Sequence, residues 1–246
     1  MMKLMAITAH PDDEAGAFGG ALLHYHARGV ETSVICLTPG QAATHRGAAR
    51  SDAELARLRR AEFAASCRIL QVTHGEVLDY ADAGLVRADL HAVVGDLTER
   101  IRRIRPHVLL TMGPEGAVTG HLDHSMASLF ATLAFHWAGR NDRYPEQLAA
   151  GLEPHRTRKL YYSTAAFTLP DRPPVSPPPC SATLAIGPWV EEKIAAFRAH
   201  TTQAPLGEPF ARAMRRFGDK ELYHLAAVSE PSVAEAESDL FEGIEE

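Results

Sequence analysis

Short apolar runs alternate with longer amphipathic ones through the first half of the chain, and this alternation constrains the fold more than any other feature. "KLMAIT" has strand length and is followed by a helical pattern over "GGALLHYHARG", which stops at Gly29. "ETSVICLT" is a second strand pattern, closed by "PGQ". Ser51 and Asp52 can then cap the helix "AELARLRRAEFAASCRIL". "HGEVLDY" reads as a short strand, "RADLHAVVGDLTERIRRIR" as a helix halted by Pro106, "HVLLTMG" as a strand and "HSMASLFATLAFHWAG" as a helix. A βαβα order of this kind predicts an α/β fold, a Rossmann-like three-layer sandwich with a mainly parallel sheet and helices on both faces. Ligands of such sheets bind beyond the carboxyl ends of the strands, near the point where strand order reverses.

With 246 residues, 46% of them hydrophobic and 23% charged, the chain has enough apolar material for one large core. Its net charge of −6 argues against general affinity for nucleic acid or an anionic membrane. Cys36, Cys67 and Cys180 lie far apart without C-x-x-C spacing, which excludes a cysteine-rich zinc site and a disulfide framework and fits a reducing compartment. The opening "MMKLMAITAHPDDE" runs quickly into acid and reads as a first core strand, not a signal peptide. No apolar run approaches the ~20 residues of a membrane helix, so a soluble cytoplasmic protein is expected.

The second half is less periodic. "LPDRPPVSPPPC" is too proline-dense for a helix or an inner strand. Its segment 170–179 is expected to be a surface connection, with a substrate lid as the other reading. "PWVEEKIAAFRAH" is a late helix. From Glu230 onward the chain carries seven carboxylates and no Lys or Arg, which predicts a solvated, partly disordered acidic tail over 230–246.

Two segments could carry chemistry, and each directly follows a strand. In "AHPDDE", Pro11 biases His10 to an extended conformation and suits a helix start. Asp12, Asp13 and Glu14 then occupy the turn or the first helical turn. Acids there complement a helix N-terminus, but one would suffice and His10 would gain nothing. In "GHLDHSM", His121 and His124 are three apart and share a helix face, with Asp123 between them as a candidate cap. Two strand-end segments of a parallel sheet converge on one edge. A pair of histidines and a carboxylate with an open position is the ligand type of catalytic zinc, with Asp12 or Asp13 binding metal and the other acting as base.

"AHPDDE", the following "GG" and "GHLDH" together resemble the LmbE and PIG-L family of zinc-dependent N-deacetylases. Between the two motifs, Arg59 and Glu62 resemble the family's R-x-x-E helix and Asp82 its aspartate turn. Later, Lys193, His200 and Gln203 resemble its K…H-x-x-Q segment. The resemblance implies an LmbE-like deacetylase domain over 1–229 and Zn2+, or another divalent metal, on His10, Asp13 and His124. It implies Asp12 as general base, His121 as oxyanion stabiliser or proton donor, and Arg59 and Asp82 as substrate contacts. The substrate implied is a small N-acetylated amino sugar of the N-acetylglucosamine type, and the resemblance leaves room for a homo-oligomer. An amidase acting on a larger thiol-sugar conjugate and a non-catalytic sugar-binding member of the fold are the rival readings. A dinucleotide enzyme is disfavoured because the first strand is followed by carboxylates and no G-x-G-x-x-G.

Departures from the family pattern are Leu122 for a proline, "TPG" at 38–40 for T-D-G, and Gln71 for a helix-ending glycine. They fall outside the implied ligands. His24, His26 and His91 are expected in surface or core roles. His45 and His74 lie in loops, and His200 is read as structural or as part of a segment closing over the site. Arg59 and Glu62 could equally form an ion pair along one helix face.

Overall fold

The computed structural model describes residues 1–167, 169, 172–231 and 236–245. Strands β1 (Lys3–Thr8), β2 (Glu31–Cys36), β3 (His74–Val77), β4 (Val108–Thr111) and β5 (Lys159–Thr164) run parallel. Strand β7 (Lys220–Val228) pairs antiparallel with β5, and β6 (Ala182–Ala185) antiparallel with β7. The sheet order is β3-β2-β1-β4-β5-β7-β6. Strand order therefore reverses between β1 and β4, and the chain leaves both strands toward opposite faces at that point.

Period-2 alternation in the strands separates two apolar layers. Leu4 and Ala6 of β1 and Val34 and Cys36 of β2 face helices α1 (Asp13–Ala27), α2 (Asp52–Ile69) and α6 (Val190–Arg198), through Phe18, Leu22, Phe63, Cys67 and Phe197. Met5, Ile7 and Ile35 face α3 (Leu90–Ile104) and α4 (Leu122–Ala138), through Leu97, Ile101, Phe130 and Ala134. This is the expected three-layer α/β arrangement. The short α5 (Pro145–Ala149) follows α4, and α7 (Ala204–Phe217) packs on α6 by stacking Phe210 against Phe197 at 4.1 Å.

The glycine pair after the first motif is explained by close approach. A β-carbon on Gly20 would lie 2.4 Å from Ile186 Cδ1 and 2.8 Å from Glu221 Oε1. Glu221 accepts hydrogen bonds from the Gly20 and Ala21 amides and from Tyr223, and it pairs with Lys193 at 2.5 Å. Lys193, one of the late residues that matched the family pattern, is thus buried against Glu221 and ties α6 to the middle of α1 and to β7.

The acidic tail departs from expectation over its described part. Residues 236–245 pack on the sheet: Glu237 forms a parallel bridge with Ala182, accepts a hydrogen bond from Tyr161 and pairs with Lys159 at 2.5 Å. Asp239 takes hydrogen bonds from Tyr25 at 2.9 Å and Arg28 at 2.7 Å, and Leu240 is buried. Carboxylates that look solvated in a list of residues have hydroxyls and cations waiting on distant elements. Their docking also covers the edge strand β6, which would otherwise offer unpaired backbone groups. Residues 232–235 and 246 lie outside the described residues, as do 170 and 171 of the proline-rich stretch. The rest of that stretch is irregular and tied down, with Pro178 accepting from Thr164 and Pro179 from His224.

All three thiols are free. Among the described residues no helix is long and apolar enough to cross a membrane. On the other face, Arg102 is 2% exposed and among the described residues forms no ion pair. Its guanidinium donates to the carbonyls of Ala138, Arg140, Arg143 and Tyr144 and to Gln147 Oε1, gathering the end of α4 and the turn into α5. Removing it strands several buried carbonyls at once. Arg102→Leu is expected to lower unfolding free energy by about 3 kcal/mol or more, since each orphaned buried acceptor costs about 1–3 kcal/mol. Chemical denaturation measures this, and a loss below about 1 kcal/mol would mean that the carbonyls find other donors.

Candidate active site

The first motif forms a tight turn between β1 and α1. Asp12 has φ 114° and ψ −24°, a left-handed conformation rare for a non-glycine residue. Neighbouring carboxylates hold this turn. Asp13 Oδ2 accepts from the amides of Ala9 at 3.2 Å and His10 at 2.8 Å, and Glu14 Oε2 accepts from the Asp12 amide at 2.9 Å. Glu14 reaching back to the N-cap amide satisfies a backbone donor at the start of the helix. The Asp12 side chain makes no cap bond and is free to face Arg59 at 2.8 Å. The reading of the acids as helix-start complements therefore holds for Asp13 and Glu14 but omits Asp12.

The second motif follows β4. Gly116 and Gly120 adopt positive φ, and a β-carbon on Gly116 would lie 2.7 Å from the backbone of Gly120 and His121, so the loop closes only with glycine there. Val175 of the proline-rich stretch reaches this loop, its Cγ1 3.1 Å from where a Gly120 β-carbon would stand. Helix α4 is capped by His121, whose Nδ1 accepts from the Asp123 amide at 3.1 Å, and not by Asp123 as its sequence position suggested.

The two segments meet. The imidazoles of His10 and His124 lie 5.3 Å apart, with His121 at 4.8 Å from His10 and 5.1 Å from His124. Asp13 sits between the first two: Oδ2 is 3.7 Å from His10 Nδ1, and Oδ1 is 3.2 Å from His124 Nε2. The outer ring nitrogens are engaged elsewhere. His10 Nε2 lies 3.1 Å from Asp82 and 3.4 Å from Asp123, and His124 Nδ1 lies 3.2 Å from the Gly116 carbonyl. Acceptors at those positions hold a ring proton on His10 Nε2 and on His124 Nδ1, so the opposite nitrogens facing Asp13 are the ones that could offer a lone pair to a cation once their own proton is displaced. Ring nitrogens of His10, His121 and His124 all lie within 4.8 Å of one another. The donor set suits a divalent ion: imidazole lone pairs and a carboxylate, each oriented by an outer partner.

Electrostatics point the same way. Burial disfavours charge on His10, but hydrogen bonds with Asp123 and Asp82 and the charge of Asp13 lift it to about 10. Carboxylates gathered around one ring call for positive charge. Burial pushes the Asp13 carboxyl up, yet His124 and His10 hold it well below the usual range. Burial raises Asp12 to about 6 against the pull of Arg59. His121, the least buried of the three rings, is lowered by burial and by the charges of His10 and His124. Its Nδ1 is taken by the Asp123 amide, so its proton sits on Nε2 as a donor.

Arg59 and Asp82, the implied substrate contacts, both stand beside the cluster. Arg59 is 3% exposed and donates to the carbonyls of Pro11 and Gly40 and to Asp12. Gly40 has positive φ, and a β-carbon there would lie 2.3 Å from Arg59 Nη1, so the guanidinium fills that space. Asp82 faces His10 and accepts from the Ala42 amide at 2.7 Å. Glu62 forms no pair with Arg59. It accepts from Thr201 and from the Thr202 amide and hydroxyl, anchoring the segment that carries His200. His200 is buried and meets Glu14 at 2.7 Å, beside the Ser66 hydroxyl at 2.6 Å, while Gln203 Nε2 donates to the His45 carbonyl at 2.9 Å. Sequence reasoning gave Asp123 and Glu14 no role beyond capping. Both are acids next to candidate ligands, but only the tertiary structure shows that each turns away from solvent onto a particular atom.

Residues 5–135 match the family described as PIG-L, GlcNAc-PI de-N-acetylase. A 1D-myo-inositol 2-acetamido-2-deoxy-alpha-D-glucopyranoside deacetylase of Catenulispora acidiphila is 31% identical, over 98% of this chain and 97% of that protein. A mycothiol S-conjugate amidase of Streptomyces coelicolor is 29% identical, over 66% of this chain and 60% of its own. The structure of N,N'-diacetylchitobiose deacetylase from Pyrococcus horikoshii aligns with TM-score 0.74 and 26% identity, covering 91% of this chain and 83% of that one. Both matching motifs fall inside the matched region, at the meeting point of β1 and β4. The chain belongs to the PIG-L family of de-N-acetylases.

Proposed function

We propose that this chain is a metal-dependent N-deacetylase that hydrolyses the N-acetyl group of a small N-acetylglucosamine-type conjugate. One observation carries the reading: the Asp13 carboxylate lies between His10 Nδ1 and His124 Nε2, and the far nitrogen of each ring is tied to an outer acceptor. His10, Asp13 and His124 would hold the ion. Zinc suits two imidazoles and a carboxylate with an open position, and other divalent ions suit the same donors. A bound ion there lowers the pKa of water and polarises an acyl carbonyl oxygen.

The chain's own groups supply the rest. Asp12 accepts the proton of the attacking water, its carboxylate aimed by Arg59 and its backbone by Glu14. His121 presents its Nε2 hydrogen to the oxygen that gains charge as the carbonyl becomes tetrahedral, and as the C–N bond breaks the proton taken by Asp12 passes to the leaving amine, releasing acetate. Arg59 and Asp82 serve as positioning residues, for Asp12 and His10 respectively, in place of the sugar contacts that the family resemblance implied. Arg59 is too deeply buried to meet a sugar hydroxyl without moving. Three free thiols and the absence of a membrane-length helix among the described residues support a cytoplasmic setting. The amidase relative keeps a second reading in view, cleavage of a larger acyl group by the same residues.

Release of acetate from a panel of N-acetylglucosamine conjugates, set beside release of larger acyl groups from the same amines, tests the reaction. No hydrolysis of any amide by metal-loaded protein would sink the reading. Asp12→Asn is expected to retain metal while losing about 10²–10⁴-fold in kcat, the usual contribution of a general base. Full activity in that variant removes Asp12 from the role. His124→Ala is expected to lose the metal, seen by elemental analysis of the purified protein. Asp82→Asn and Asp123→Asn are each expected to weaken metal binding by about 10–100-fold in chelator competition, as removal of outer carboxylates does elsewhere. Unchanged affinity in both would detach those carboxylates from the centre.

A further inference from the structure

The opposite edge of the sheet holds a second concentration of charge, of the other sign. Where β4 and β5 begin, Arg105, His107, His155, Arg156 and Arg158 line a cleft of about 530 Å³, with Glu245 at one side. The stretch from His107 to Gly113 spans roughly 20 Å when extended, so this cleft stands a full strand length from the candidate active site. It draws on separate elements. Arg105 ends α3 in a left-handed conformation at φ 59°, just before Pro106. His107, which accepts from the Lys3 amide at 3.1 Å, leads into β4. Arg156 and Arg158 lead into β5, where the Arg158 amide bonds the His107 carbonyl at 2.9 Å.

The side chains of the three cleft arginines are lightly engaged. Arg105 has no side-chain hydrogen bond or ion pair among the described residues. Arg156 donates only to the Ser229 carbonyl, and Arg158 pairs with Glu230, whose side chain is 72% exposed. An exposed pair of that kind contributes little and exchanges readily. On the buried side of the cleft His155 is lowered, chiefly by burial, against its bond to the Pro106 carbonyl, and the charges of Arg105, His107 and Arg158 add to the lowering. The negative end of α3 accounts for Arg105 alone. It does not account for two further arginines brought in by β5, on a chain whose net charge is −6.

We propose that this cleft binds a phosphate group, free or as a phosphate monoester, between the guanidinium groups of Arg105, Arg156 and Arg158. Arginine forks present paired N–H donors that match the oxygens of a tetrahedral oxyanion, which lysines would not do with the same geometry. The frame is rigid, since each arginine sits next to a backbone hydrogen bond at a strand entrance. Glu245, carried by the docked tail, is a built-in competitor for the same cations. The candidate active site takes no part in the proposal.

Calorimetric titration of inorganic phosphate, and separately of glucose 6-phosphate, into the full chain at fixed ionic strength tests it. Saturable one-site binding is expected, with the tighter of the two titrants telling whether the free anion or the ester is preferred. Arg105→Ala and Arg158→Ala should each weaken it about tenfold or more, the scale of one charge-assisted hydrogen bond. Arg215→Ala should leave it unchanged and Glu245→Gln should tighten it. His124→Ala should bind phosphate like the parent chain. Absence of saturable binding, equal affinity in arginine variants that keep the parent circular dichroism spectrum, or loss of binding in His124→Ala would each overturn the assignment.

Discussion

The Asp13 carboxylate governs the architecture of the site. One of its oxygens fastens two backbone amides at the end of β1, and the other faces His124 across the gap to α4. The same group thus shapes the turn, fixes where α1 begins and spans the two segments that follow β1 and β4. A carboxylate with two amide donors and two imidazoles near it stays ionised despite burial, because together those partners outweigh its desolvation. Without that ionised group the left-handed conformation of Asp12 would lose its support, and His10 and His124 would face each other with nothing between them.

The sheet was legible because a doubly wound fold writes itself into local sequence. Strand and helix periods alternate, Ser51 and Asp89 cap the helices they precede, and Pro106 stops α3. The switch between β1 and β4 follows from the parallel order, and with it the convergence of "AHPDDE" and "GHLDH". What stayed hidden depends on distant partners. Lys193 could be placed on a helix, but nothing local says that it meets Glu221 under α1. The tail looked solvated because its carboxylates have no cations nearby in sequence. Lys159, Tyr161, Tyr25 and Arg28 supply the partners from strands and helices far up the chain. Strands β5 to β7 lack the apolar alternation of the first half, since the antiparallel end of the sheet is only half-buried and tolerates polar residues.

The same limit applied to the site. Residue type and spacing singled out His10, Asp12, Asp13, His121 and His124, which carry chemistry in almost any arrangement. They did not reveal the direction in which Arg59, Asp82 and Asp123 point, because that depends on loops whose course is set by Gly40, Gly116 and Gly120. An arginine on an amphipathic helix is ambiguous between solvent, substrate and interior. Here the interior prevails because two carbonyls and a carboxylate lie within reach of one guanidinium.

Arg59 also has a mechanical meaning. The rings and the carboxylate proposed to hold the ion stand on β1, α1 and α4, at the centre of the sheet. Asp12 leans on α2 through Arg59, and α2 in turn is pinned by Glu62 to the segment around Thr202. The proposed base therefore shares the β1–α1 turn with the proposed ligand Asp13 but takes an additional support from α2. A small outward tilt of α2, too slight to disturb the sheet, would withdraw Arg59 from Asp12 while leaving His10, Asp13 and His124 where they are.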